Sequence, residues 1–100
     1  MIVVEEGQSG TGVEVPADAL LAIRLRENPG TGFRWSVENA DGLTVEENVN
    51  PAQGPGAARL HEFRFRARTP GSHHLQLRHW RDWEGETSII GRFVLDARFV

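Results

Sequence analysis

The sequence has no cysteine and no lysine, and none of its apolar runs approaches the ~18 residues that a membrane-spanning helix needs. Without cysteine there is no disulfide framework, no thiolate metal site and no cysteine nucleophile. Without lysine, Gly54-Pro55-Gly56 lacks the residue that reaches the phosphates in a nucleotide-binding loop, and no helical pattern follows it. All 11 basic residues are arginine; with 14 acidic residues the formal net charge is −3. That balance argues against a general nucleic-acid or anionic-membrane binder. The start, Met1-Ile2-Val3-Val4-Glu5-Glu6, lacks the basic and apolar stretches of a secretory signal. The expected location is therefore the cytoplasm unless a leader has been removed.

Helical spacing is scarce too: only residues 16–21 suit a helical turn, and the strand that follows claims Leu21. What the chain has instead is alternation of period two. Leu21, Ile23 and Leu25 alternate with Ala22, Arg24 and Arg26; Phe33, Trp35 and Val37 with Arg34, Ser36 and Glu38; Phe63, Phe65 and Ala67 with Arg64, Arg66 and Arg68. Leu75 and Leu77 follow the same rule, as do Phe93, Leu95, Ala97 and Phe99. Each run reads as a strand with one buried and one wet face. Shorter strands are expected at residues 2–5, 12–15 and 43–46. Turn chemistry separates the runs: residues 7–12, Asn28-Pro29-Gly30, the hairpin signal Asp41-Gly42, residues 50–56, and Thr69-Pro70-Gly71-Ser72. In 100 residues this makes one domain, residues 1–100, and predicts an all-β, immunoglobulin-like antiparallel β-sandwich of 7–8 strands, with a small closed barrel as the competing architecture.

Three connections are long: residues 27–33, 52–59 and 80–88. Counted from the front, they join strands B to C, D to E and F to G, which places all three at one end of such a sandwich. In the first, Pro29 fixes its own φ, Asn28 before it is held extended, and Gly30 and Gly32 permit positive φ. The expected result is a preformed loop that another surface can approach closely.

The run Asn28-Pro29-Gly30-Thr31-Gly32-Phe33-Arg34-Trp35 fits the pattern Asn-Pro-x-Thr-Gly-(Phe/Tyr)-x-Trp and resembles the BC-loop signature of the chagasin-like inhibitors of papain-type cysteine proteases. Two further family motifs follow in order in altered form. Gly54-Pro55-Gly56-Ala57 stands where the family has Gly-x-Gly-Gly, and Arg78-His79-Trp80 where it has Arg-Pro-Trp. The resemblance runs from about Leu21 to Phe99 and implies a wedge, not an enzyme. The BC loop (Asn28, Pro29, Gly30, Thr31, Gly32, Phe33) would enter a papain-family protease's cleft with Thr31 nearest the catalytic cysteine. The DE loop (Gly54, Pro55, Gly56, Ala57) and the FG loop (Arg78, His79, Trp80) would grip its sides. No cofactor, metal, nucleic acid or membrane is implied, and a monomer is expected.

Two other readings stand beside this one. Trp80, Trp83 and Phe33 would suit a carbohydrate-binding or adhesion platform of an immunoglobulin-like module, with Asp82 and Glu84 nearby; or the chain keeps the family's fold without its inhibition. Trp80 takes the interface role because it matches the motif, and Trp83 is expected at the rim. His73 and His74 are adjacent on a strand, so they face opposite ways and do not share a metal ion. With His61 they read as solvated surface side chains. Ser9, Ser36, Ser72 and Ser88 sit in no nucleophile elbow. The arginines at 24, 26, 64, 66 and 68 read as a solvated stripe paired with acidic neighbours.

Overall fold

The computed structural model of the protein describes residues 1–49 and 59–100. Eight strands form two four-stranded sheets: β1 (Ile2–Glu5), β3 (Leu21–Arg26), β6 (Leu60–Arg66) and β5 (Thr44–Val49) in the order β1-β3-β6-β5, and β2 (Thr11–Val15), β8 (Gly91–Phe99), β7 (Gly71–Trp80) and β4 (Arg34–Asn39) in the order β2-β8-β7-β4. The only helical segments described are 3-10 turns of three residues. This is the immunoglobulin-like sandwich that the alternation predicts.

Alternation fixes which face of each strand is buried. Leu21, Ile23, Leu25, Phe63 and Phe65 from one sheet meet Leu75, Leu77, Phe93, Leu95, Ala97 and Phe99 from the other, all at most 1% exposed. Val4, Val15, Trp35 and Leu43 complete this core. Ala67 lies beyond the end of β6 and is only half-buried. The middle strand expected at residues 43–46 begins one residue later and runs further, as Thr44–Val49, while Leu43 is itself buried in the core.

Two details depart from the expectation. The sheets are not purely antiparallel, because β1 pairs with β3 and β2 with β8 in parallel. The 3-10 turn Glu6–Gln8 carries the first part of the chain from one sheet edge to the other, so a single N-terminal run supplies an edge strand to each layer. Alternation records which side chains face inward; it holds no information on the direction of the neighbouring strand. The Asp41-Gly42 turn also makes no hairpin. Both residues have the positive φ that the signal requires, 50° and 81°, yet β4 and β5 lie in different sheets. A turn reverses the chain, and the strand after it joins whichever sheet buries its apolar face.

The outer faces are held by carboxylates set between arginines. On the first sheet Glu62, fully buried, accepts hydrogen bonds from Arg24 (2.6 Å) and Arg64 (2.5 Å). On the second, Glu38 accepts from Arg92 at 3.0 Å, with Arg78 at 4.0 Å. The arginine stripe is thus paired internally at Arg24 and Arg64. Burial by itself would raise the Glu62 pKa, but hydrogen bonds from Arg24 and Arg64, together with their charge, outweigh it and hold the carboxyl below its ordinary 4.5.

A carboxyl lowered in the folded state contributes stability above its unfolded pKa and loses it as pH falls through the folded value. Because both arginines are about one-third exposed, the contribution is smaller than for a dry ion pair. Glu62→Gln is therefore expected to cost about 1–3 kcal/mol at pH 7 and much less at pH 3. Urea unfolding at both pH values checks this, and equal losses at the two would contradict it.

Candidate functional site: the loop end of the sandwich

The connections β3–β4 and β7–β8 touch at one end of the sandwich, and the described end of the β5–β6 connection joins them there, since Glu27 N–H donates to the Arg59 carbonyl at 3.0 Å. Of the residues expected at this site, Gly54, Pro55, Gly56 and Ala57 lie outside the described residues.

The base of the β3–β4 loop is a buried carboxylate. Glu27 Oε2 accepts from the Trp35 backbone N–H (2.8 Å) and lies 2.9 Å from His61 Nδ1. A carboxylate only accepts, so His61 carries its proton on Nδ1. The Trp35 indole N–H donates to the Arg26 carbonyl at 2.9 Å, closing the loop's two ends onto each other. His61 is 6% exposed and its ring stacks on Phe63 at 4.2 Å, so it is not the surface histidine the sequence predicts. It occupies an inward position of β6, where the alternation that buries Phe63 and Phe65 also carries it inside. His73 and His74 do point to opposite faces, toward the Asp41 carbonyl (3.0 Å) and the Asp96 carboxylate (2.8 Å).

Above this base the chain makes the 3-10 turn Pro29–Thr31. Asn28 fastens it from both of its oxygens. Its side-chain Oδ1 accepts from Gly30 N–H (3.1 Å), and its carbonyl accepts from the Thr31 N–H (3.1 Å) and hydroxyl (2.8 Å). Thr31 stands exposed at the end of the turn. Positive φ is used at Gly32 (79°) and not at Gly30, which sits within the 3-10 turn. A Cβ at Gly32 would also lie 2.7 Å from the Trp83 indole. Backbone conformation and close approach therefore both demand glycine there.

The third motif divides between core and surface. His79 faces inward and stacks on Trp35 at 4.6 Å, with Phe33 edge-on to it at 6.0 Å. It is a packing residue below the loop. Arg78 and Trp80 share the outer face of β7, and the Arg78 guanidinium lies 3.5 Å over the Trp80 ring, leaving that indole half-buried. Trp83, placed at the rim by its polar surroundings, is 68% exposed and stands directly against the β3–β4 loop.

Sequence reasoning missed Arg81. Its Nε and Nη2 both donate to the Thr31 carbonyl, at 3.1 and 2.8 Å, and its guanidinium lies 4.3 Å over the Phe33 ring. With one face of Phe33 and one of Trp80 covered by guanidinium groups, the three aromatics do not form an open stacking platform. The carbohydrate reading loses its support.

Comparison with known proteins identifies the family. The family model described as "Chagasin family peptidase inhibitor I42" matches residues 14–97. Chagasin of Trypanosoma cruzi is 29% identical over 101 residues, covering 92% of each chain. Among solved structures, the cysteine protease inhibitor EhICP2 of Entamoeba histolytica superposes with a TM-score of 0.84 at 18% identity, covering 99% of this chain and 94% of that one. Amebosin gives 0.81 at 20% identity, covering 99% and 97%. Such identities speak for the fold alone; the family match, which spans most of the chain, carries the assignment. The chain belongs to the chagasin family of peptidase inhibitors.

Proposed function

We propose that the protein is a reversible, competitive inhibitor of papain-like cysteine proteases that closes the active-site cleft with the loop end of its sandwich. The observation that carries this reading is the preformed turn ending at Thr31. It is exposed at its tip, bonded to itself through Asn28 and anchored below by Glu27. A loop ordered before docking loses little conformational entropy on binding. A fold relative, PbICP-C, was solved in complex with falcipain-2 (TM-score 0.72, 12% identity, covering 100% of each chain), which supports the same class of partner here.

In this reading Asn28, Pro29, Gly30, Thr31, Gly32 and Phe33 form the wedge, with Thr31 beside the catalytic cysteine. Arg78, His79 and Trp80 flank it on one side, Arg78 and Trp80 from the outer face and His79 from beneath. Gly54, Pro55, Gly56 and Ala57, outside the described residues, take the other side. No cofactor takes part, and inhibition is by exclusion of substrate. A titration of papain activity at increasing substrate tests it: the apparent inhibition constant should rise with substrate concentration, and a folded protein that leaves papain fully active would refute the reading.

Three variants sharpen the placement. Thr31→Arg puts a charge and extra bulk where the loop meets the cleft, and should weaken inhibition at least a hundredfold, about 3 kcal/mol. Its thermal midpoint should hold because the position is exposed. An unchanged inhibition constant would remove Thr31 from the centre. Trp83→Ala and Trp80→Ala should differ in kind. The exposed Trp83 should lose about thirtyfold in affinity, near 2 kcal/mol, at constant stability. Trp80, half-buried under Arg78, should lose both affinity and thermal stability. Lost stability with unchanged affinity would make Trp80 purely structural.

A further inference from the structure

We infer that Arg81 is the positioning residue that keeps the loop from being cut as a substrate. The inference rests on the inhibitor reading and adds the reason why inhibition persists. A papain-type protease cleaves when its thiolate attacks a carbonyl carbon and the electron pair moves onto the oxygen, which must lie within reach of the oxyanion-hole donors. Collapse then breaks the C–N bond, the amine leaves with a proton from the imidazolium, and water releases the acyl group. The peptide bond nearest to hand at the loop tip is Thr31–Gly32. Its carbonyl oxygen already accepts two N–H bonds from one guanidinium, at 3.1 and 2.8 Å, and is held toward the inhibitor's own β7–β8 connection. A carbonyl oxygen has two lone pairs, and both are engaged. To enter an oxyanion hole it must first break a two-pronged contact with a charged group.

The arginine is itself held on every side. Its Nη1 lies 3.3 Å from Glu84 Oε1, and its plane rests on Phe33. Its backbone N–H donates to the Ser88 hydroxyl (3.0 Å), which donates back to the Arg81 carbonyl (2.8 Å). On the other side of the same peptide, Trp83 packs against Gly32 so closely that no Cβ fits between them. The Thr31–Gly32 bond is thus pinned at its oxygen by Arg81 and hemmed in at its following Cα by Trp83. Attack geometry has to be met closely for cleavage, and a carbonyl held by its own arginine is not free to turn into it.

Arg81→Ala and Arg81→Lys test the inference, with two proteases and a mass spectrum of the inhibitor after prolonged incubation. With active papain, the wild type should stay intact and dilution should restore full enzyme activity. Arg81→Ala should inhibit at least tenfold more weakly, lose its inhibition with time, and yield fragments 1–31 and 32–100. Arg81→Lys, a compact donor without the two-pronged geometry, should fall between. Subtilisin, which shares oxyanion-hole chemistry but is not a thiol protease, should nick the loop of Arg81→Ala and spare that of the wild type. Thermal midpoints should differ by at most a few degrees, since Arg81 is half-buried and lies outside the core. If wild type fails to inhibit papain, the inhibitor reading falls, while the subtilisin comparison still decides the role of Arg81. If Arg81→Ala resists both proteases as the wild type does, the inference is overturned.

Discussion

The loop end of this protein depends on one buried carboxylate. Glu27 terminates the β3 side of the long connection and binds the first residues of β4 through Trp35 and of β6 through His61. Its own N–H reaches Arg59, where the β5–β6 connection returns. One side chain thereby fixes the relative positions of strands from both sheets. Burying a carboxylate is costly unless its oxygens are satisfied, so the arrangement is stable only when all these partners are in place. Everything above it, the turn at Pro29–Thr31 and the contacts from the β7–β8 connection, is built on that base.

The same economy appears on the outer faces. Glu62 between Arg24 and Arg64, and Glu38 between Arg78 and Arg92, tie adjacent strands across each sheet. This accounts for a chain rich in arginine that nonetheless presents no free basic stripe at those positions. Two arginines stack on aromatic rings: Arg78, which also flanks Glu38, over Trp80, and Arg81 over Phe33. A planar guanidinium can stack and still donate in its own plane, which lysine cannot do. The absence of lysine fits a fold whose cations are used as flat, directional donors.

The sandwich, the strand runs that build its core, and the shared end of the β3–β4 and β7–β8 loops were legible because burial imposes period two on each strand and the turns carry glycine and proline; of the third loop, residues 50–58 lie outside those described. The first motif was legible through its resemblance to the family's BC-loop signature, and the structure gives Asn28, Gly32 and Trp35 each a role in backbone geometry or in contacts with the adjoining strand. The parallel pairing of β1 and β2 and the sheet change at Asp41-Gly42 were not, since alternation states which way a side chain faces and is silent on which strand lies beside it.

Period two and turn chemistry were enough for the sandwich, for the place of the loop and for the residues that shape its backbone, all of which follow from local propensity and burial. The side chains that support that loop are set by packing between distant parts of the chain. Glu27 and His61 are 34 positions apart, and Arg81 and Thr31 are 50 apart. A charged residue in a polar stretch looks the same in sequence whether it faces water or binds a distant carbonyl. For Arg81 the difference arises only when the packed sheets bring the β7–β8 and β3–β4 connections together; His61 stands at the inward parity of Phe63 and Phe65, and its burial follows once β6 is seen to begin at Leu60.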